Sequence, residues 1–200
     1  MKRLATPAAA DPVEIALVLL KKKSNRLFGK ELLSEQPYFL IYSILEEVMI
    51  LVSACLAGLK VRYNGTDCLD EKIAKLLEEK KAVTVCPEVL GGLPIPREPA
   101  EIIGGDGFDV LDGKAKVVSK SGKDVTEHFL KGALTTLEIA KKVNATIVVL
   151  KENSPSCGST MIYNGEFNGE KKAGDGVTSA LLKRNGFRVI SEEEFLRELN

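Results

Sequence analysis

Four short runs of mostly apolar residues recur along the chain, and segments with helical character separate them. The runs cover residues 50–54, 82–85, 145–150 and 187–190. Short strands that are apolar on both faces and alternate with helices are typical of a parallel sheet covered on each side. We therefore predict an α/β fold, with a single three-layer domain around a mostly parallel sheet.

Helices are predicted between these strands from capping residues and apolar spacing. The predicted helices cover residues 70–80, 126–143, 175–184 and 192–199. Asp70 and Asp175 are the expected N-caps of the first and third helices, because a short carboxylate accepts hydrogen bonds from the first free N–H groups. Gly186 is expected to end the third helix, since glycine readily adopts the left-handed conformation.

Two dipeptides indicate β-hairpins. Asp112 and Gly113 lie between alternating flanks in residues 110–118, and the dipeptide at 164–165 is Asn-Gly. Both dipeptides favour the tight turns that join antiparallel strands.

The passage 87–107 is rich in glycine and proline and shows no periodicity. Irregular stretches of that length inside a compact domain tend to be functional.

The first 48 residues differ from the rest of the chain. We predict that residues 1–48 form an N-terminal extension, partly disordered or helical, and that residues 49–200 form the α/β domain. Met49 begins the first strand run. Two interpretations stay open: Met49 is the natural start, or the preceding segment is a helical accessory packed on the domain.

Composition and charge disfavour several classes of protein. The apolar fraction of 44% and the charged fraction of 28% are those of a globular chain. The 28 basic and 28 acidic residues balance, which disfavours a nucleic-acid partner but leaves a local basic groove open. The apolar run at 15–20 is too short to span a bilayer. Four cysteines and no recognisable secretory leader indicate a reduced, cytoplasmic setting without a membrane partner.

Three of the four cysteines follow predicted strands. Cys55 comes after the first strand, Cys86 after the second, and Cys157 lies in the loop that leaves the third. Because ligands bind beyond the carboxyl ends of parallel strands, we expect these three cysteines at one site. Cys68 precedes a helix and has no such placement. Wide spacing without a C-x-x-C pair disfavours a structural zinc site and suits an iron–sulfur cluster with one iron lacking a protein ligand.

Five segments, in this order, resemble the thiouracil desulfidase family, long catalogued as a domain of unknown function. They are VSACLAG at 52–58, VCPE at 85–88, GGLP at 91–94, SPSCG at 154–158 and GDGVT at 174–178. The resemblance covers residues 49 to about 191. Two features depart from the family pattern: Val61 stands where we expect many relatives to carry a cysteine, and the N-terminal extension is additional.

The resemblance implies both a cofactor and a reaction. It implies a cubane [4Fe–4S] cluster held by three cysteines, which match Cys55, Cys86 and Cys157. It implies an enzyme acting on a carbon–sulfur bond, which removes sulfur from thiouracil-type bases without redox change and releases sulfide and the oxo base. The family's catalytic carboxylate and serine match Glu88 and Ser154. The implied partners are a small thiolated base and the iron–sulfur assembly machinery.

The residues themselves are compatible with that chemistry. A sulfur atom on carbon is soft and matches iron, while water must be activated by a base. His128, the only histidine, is predicted in a helix away from the cysteine loops, which leaves Glu88, two residues after a ligand. Glu88 could instead satisfy backbone amides, and Ser154 could simply form a turn beside Pro155.

Three further residues flank the proposed crevice. Arg62, Tyr63 and Arg97 could hold an anionic or planar heterocycle by charge or stacking, although residues of these types are more often ordinary surface groups. Other functions also stay open. One is an iron–sulfur hydro-lyase, disfavoured by the scarcity of basic residues near the cysteines, and another is a non-enzymatic sulfur carrier or redox sensor. The sequence leaves open whether the substrate is a free base, a nucleotide or RNA, and which oligomer forms.

Overall fold

The four strands predicted from apolar runs form one parallel sheet in the computed structural model, which describes residues 49–199. The strands are β1 (Met49–Ser53), β2 (Ala82–Val85), β3 (Ala100–Ile103), β4 (Lys116–Ser119), β5 (Ala145–Leu150), β6 (Met161–Tyr163), β7 (Lys171–Ala173) and β8 (Val189–Ser191). The helices are α1 (Glu71–Glu78), α2 (Pro87–Leu90), α3 (Gly107–Leu111), α4 (Thr126–Lys142), α5 (Val177–Arg184) and α6 (Glu192–Glu198). The main sheet has the order β2-β1-β5-β8 with all pairs parallel. The predicted α/β fold is confirmed.

The main sheet is buried because its strands are apolar on both faces. Leu51 and Val52 of β1 and Val148 and Val149 of β5 have no solvent exposure. Successive strand residues point to opposite faces, so burial of both members of each pair means that both faces are covered. The continuous apolar runs of the sequence are explained by this double burial.

Helix α4 links two hydrophobic cores. Its C-terminal half contributes Leu137 and Ala140 to the core of the main sheet. Its N-terminal half contributes Phe129 and Ala133 to a second core, shared with the antiparallel pair β3–β4. One helix of 17 residues therefore packs against both sheets.

The hairpin predicted at Asp112-Gly113 is wrong. These residues end helix α3, where Asp112 is the C-cap and Gly113 has φ 72°. The helix begins at a capping box in which Asp106 and Asp109 exchange side chain-to-backbone hydrogen bonds. The capping box starts a helix in this segment despite the strand-like alternation of its residues. Strand β4 pairs with β3 instead.

Two other expectations need correction. The passage 87–107 is not irregular throughout, because it contains α2 and β3. Asp175 is not a helix N-cap; Gly176 takes that position, and the Asp175 carboxylate pairs with Lys183 at 2.6 Å. Asp70 does cap its helix, accepting hydrogen bonds from the N–H groups of residues 72 and 73. The hairpin at Asn164-Gly165 is confirmed, since β6 and β7 are antiparallel, but its loop spans residues 164–170.

Residues 49–195 form one compact unit. The predictions for residues 1–48 fall outside the described residues. Within the part of the chain that the structure describes, no helix is long and apolar enough to cross a membrane.

Candidate active site

The loops that follow three neighbouring strands surround one cavity. Cys55 lies in the 3₁₀ turn Ala54–Ala57 after β1, Cys86 directly follows β2, and Cys157 lies in the loop after β5. All three line a cavity of about 430 Å³. Because β2, β1 and β5 are adjacent and parallel, their carboxyl ends bring together cysteines that are distant in sequence.

Burial dominates the environment of these thiols. It raises the pKa of Cys55 to about 12; nearby Cys68 and Cys86 add to the rise, while Arg62 and Lys151 oppose it. Burial likewise raises the pKa of Cys86, and that of Cys157 well above its ordinary value. Free thiols of this kind are protonated at neutral pH and are poor nucleophiles, whereas a bound metal deprotonates a thiol outright.

Cys68 lies closer to this site than its sequence position indicated. Its backbone N–H donates a hydrogen bond to the Cys55 carbonyl oxygen at 2.9 Å. It does not belong to the cavity lining formed by residues 49–199. The cavity wall therefore includes three cysteines, and the fourth, Cys68, is hydrogen-bonded through its backbone to one of them, Cys55.

The donor set fits a cluster better than a single metal ion. Among residues 49–199, no three His, Cys, Asp or Glu side chains group closely enough to bind one ion. An iron–sulfur cluster holds its cysteine ligands apart, because its own irons and sulfides lie between them. Three soft donors spaced around a cavity match that requirement and would leave one iron of a four-iron cluster without a protein ligand.

A buried ion pair holds Glu88 at the cavity. Glu88 Oε2 accepts from Arg97 Nε at 2.7 Å and lies 2.5 Å from Arg97 Nη2. The side chains are only 17% and 7% exposed, respectively. Arg97 Nη1 also donates to the carbonyl oxygens of Val61 and Pro94. All three guanidinium nitrogens of Arg97 contact protein, so its observed role is to position Glu88; substrate binding by Arg97 stays a prediction.

Ser154 connects the Cys157 loop to Glu88. Its Oγ accepts hydrogen bonds from the backbone N–H groups of Ser156 at 3.1 Å and Cys157 at 3.2 Å. Its hydroxyl donates to Glu88 Oε1 at 3.4 Å. Both interpretations of the serine thus have a structural counterpart: it shapes the turn, and it lies beside the carboxylate.

Two glycines without side chains allow helix α2, which carries Glu88, to lie in close contact with helix α4. A Cβ on Gly132 would lie 1.9 Å from the Pro87 carbonyl oxygen, and one on Gly91 would lie 2.0 Å from that of His128. His128 Nδ1 also makes a 2.9 Å hydrogen bond with the Gly91 carbonyl oxygen. The position of Glu88 therefore depends on close contact with α4, and the only histidine belongs to that contact rather than to the cavity.

The sequence interpretation missed two residues at the end of β5. Lys151 lines the cavity and forms an ion pair with Glu192. Glu152 accepts five hydrogen bonds from residues 159–161. Burial alone would raise the pKa of Glu152, but these bonds lower it below its usual value. Both residues directly follow a predicted strand, so the rule that indicated the cysteines would have found them.

The cavity wall also includes the half-buried Arg62 and the exposed Tyr63. The Arg62 guanidinium lies 6.0 Å from the centroid of the Tyr63 ring, and its Nη1 donates to Thr66 Oγ1 at 3.3 Å. Tyr163 and Phe167, which the sequence interpretation did not single out, also line the cavity. Together with the residues above, all eight residues predicted for the site surround one space.

An α/β fold with three cysteine thiols and a carboxylate–serine pair at one edge of its parallel sheet is typical of a metal-dependent enzyme. Comparison with known proteins specifies which: the chain belongs to the 2-thiouracil desulfurase family, whose sequence profile matches residues 50–194. This match confirms the resemblance carried by the five motifs.

Two individual proteins are similar to this chain. The uncharacterized protein YbbK of Bacillus subtilis (strain 168) is 64% identical over 146 residues, which cover 73% of this chain and 97% of YbbK. A solved structure of the [4Fe-4S]-dependent thiouracil desulfidase TudS is 44% identical with a TM-score of 0.67. That similarity covers 74% of this chain and 93% of TudS.

Proposed function

We propose that this chain holds a [4Fe–4S] cluster on Cys55, Cys86 and Cys157 and removes sulfur from thiouracil-type bases. The observation that carries the proposal is that three thiols from adjacent strand ends share one cavity with Glu88 and Ser154. The similarity to TudS, described as [4Fe-4S]-dependent, supports both the cofactor and the substrate class. Delivery of the cluster by iron–sulfur assembly proteins in a reduced, cytoplasmic setting belongs to the same proposal.

The proposed reaction is a hydrolysis. The carbon–sulfur bond breaks, a carbon–oxygen bond forms with oxygen from water, and sulfur leaves as sulfide. Carbon keeps its oxidation state, so no electron donor is required. When bound, a cluster with one iron free of protein ligands supplies a Lewis acid that binds soft sulfur.

Glu88 is the proposed base. Arg97 occupies Oε2 at short distance, whereas Oε1 accepts the longer hydrogen bond from Ser154. Oε1 is therefore the proposed oxygen that accepts a proton from water or from the ring nitrogen. The Ser154 hydroxyl lies 3.4 Å from Oε1, and its proposed role is to orient that water or to hydrogen-bond the thiolated substrate. Removal of a general base typically lowers turnover by on the order of 10²–10⁴-fold.

Anaerobic purification and assay test the proposal. We expect a brown protein with about four irons per chain, and sulfide release from 2- or 4-thiouracil without added reductant. A Cys55→Ser protein, purified in parallel, should lose both properties, because serine is a harder and less acidic ligand.

Three outcomes would contradict the proposal. A colourless protein with reversible cysteine oxidation would indicate a redox sensor. Strict dependence on an electron donor would exclude hydrolysis. Dehydration of a hydroxy acid, without sulfide release from thiouracil, would indicate a hydro-lyase.

A further inference from the structure

The loop between β6 and β7 forms part of the cavity wall, and a buried carboxylate holds it there. Glu101 Oε2 on β3 accepts hydrogen bonds from the backbone N–H groups of Gly165 at 2.9 Å and Phe167 at 3.1 Å. Glu101 is only 7% exposed. Burying a carboxylate is costly unless it is well hydrogen-bonded, and charge-assisted bonds are the strong ones. Glu101 is therefore a positioning residue for this loop.

The backbone of the loop is held in an unusual conformation. Phe167 has φ 54°, a left-handed value that is rare and strained for a bulky side chain. Gly165 has φ 97°, and a Cβ there would lie 2.6 Å from the Ile102 carbonyl oxygen. The loop is thus pressed against β3 while it presents Phe167 to the cavity. Strain of this kind persists only where surrounding contacts enforce it.

The side chain so presented is an apolar ring. Phe167 is half-buried and lines the cavity together with Tyr63 and Tyr163. It has no polar atom that could bind water, a cluster or a proton. Planar heterocycles stack on aromatic side chains with useful affinity and without hydrogen-bond partners.

We propose that Phe167 recognises the substrate by stacking on the planar ring of the thiolated base, with Glu101 holding it in place. This inference rests on the proposed function, because it assumes a heterocyclic substrate in the same cavity. It adds a residue that discriminates rings from non-planar sulfur compounds.

Steady-state kinetics of the cluster-containing protein test the proposal. Phe167→Leu keeps apolar volume but removes the ring, and we expect the KM for 4-thiouracil to rise on the order of tenfold. The kcat should stay within about twofold, because stacking acts equally on bound substrate and transition state. Phe167→Tyr restores the ring and should restore the KM. Glu101→Gln should raise the KM with unchanged iron content, because a neutral acceptor holds the loop less firmly.

A matched control and a binding measurement complete the design. Phe108 is also half-buried but lies on α3 outside the cavity, so Phe108→Leu should leave the KM unchanged. The chain contains no tryptophan, so Phe167→Trp introduces a single tryptophan, whose emission can be excited apart from that of the four tyrosines. Its emission should change when uracil, which has no sulfur to release, is titrated into the protein.

The outcomes separate this inference from the proposed function. An active protein in which Phe167→Leu has a normal KM, or in which saturating uracil leaves the emission of Phe167→Trp unchanged, would overturn the stacking role alone. A wild-type protein without sulfide release, whose Phe167→Trp variant still responds to uracil, would overturn the proposed function and leave the stacking role standing.

Discussion

Gly132→Ala is the substitution whose effect the structure specifies most directly. The new Cβ would lie 1.9 Å from the Pro87 carbonyl oxygen, so the two must separate by about 1.5 Å to reach the 3.4 Å of ordinary contact. The obstacle is backbone, which cannot rotate away as a side chain would. Helix α2 must then shift, and it carries Glu88 and follows Cys86 directly.

Two opposing terms set the expected size. Alanine in a helix interior is favoured over glycine by about 1 kcal/mol, whereas overpacking costs about 1–3 kcal/mol. We expect overpacking to win, giving a lower Tm by thermal unfolding. A catalytic group displaced by about 1 Å can cost on the order of 10²-fold in rate, so turnover should fall much more than stability. Iron content should fall as well, because Cys86 moves with the helix.

The sign of the stability change makes the test decisive. Lys131→Ala, at the neighbouring exposed position, introduces the same alanine without the contact and should leave Tm, iron and turnover unchanged. If Gly132→Ala raises the Tm and keeps full activity, helix propensity alone acted and the close approach does not position Glu88.

The remaining predictions address single residues. Glu88→Gln should keep the cluster, judged by iron content, yet lower sulfide release on the order of 10²–10⁴-fold because the amide cannot accept the proton; normal turnover would assign the base elsewhere. Cys68→Ser should keep its iron while Cys157→Ser loses it; loss of iron in Cys68→Ser would make Cys68 a fourth ligand and leave no iron for sulfur. Because the folded-state pKa of Glu152 is lowered, its contribution to stability is present above the ordinary carboxyl pKa and is lost as pH falls through the folded value. Denaturant unfolding of Glu152→Gln should therefore show a loss of about 1–3 kcal/mol at neutral pH that shrinks in acid, and a pH-independent difference would refute this. A protein starting at Met49 should fold and release sulfide, whereas aggregation would show that the preceding segment packs on the domain.

The main sheet could be predicted because its signal is local. Continuous apolar runs indicate strands buried on both faces, and the helices between them indicate that the strands run parallel. The sequence did not indicate that β1 pairs with β5. Short elements escaped prediction for the opposite reason. Helix α2 has four residues, too few to show helical periodicity. The turn at Asp112 was misread because the helix start at Asp106 decides that segment.

The site divides in the same way. The cysteines and Glu88 could be placed from strand ends and short spacing. The role of Arg97 could not, because its contacts with Glu88 and Val61 depend on how two loops fold together. The position of Phe167 in the cavity wall could not be predicted from the sequence, because Glu101, whose carboxylate holds the loop, is 66 positions away.

The sheet order has a consequence for when the proposed cluster could be acquired. Cys55 and Cys86 follow β1 and β2, which are close in sequence. Cys157 follows β5, which must pair with β1 across nearly one hundred residues. Long-range parallel pairing of this kind is intrinsically slow, because the chain must close a long loop before the contacts form. A chain still emerging from the ribosome therefore presents two of the three thiols and has no complete ligand set. Insertion of the proposed cluster would therefore have to await synthesis and docking of β5, so that bound iron would report finished folding rather than start it.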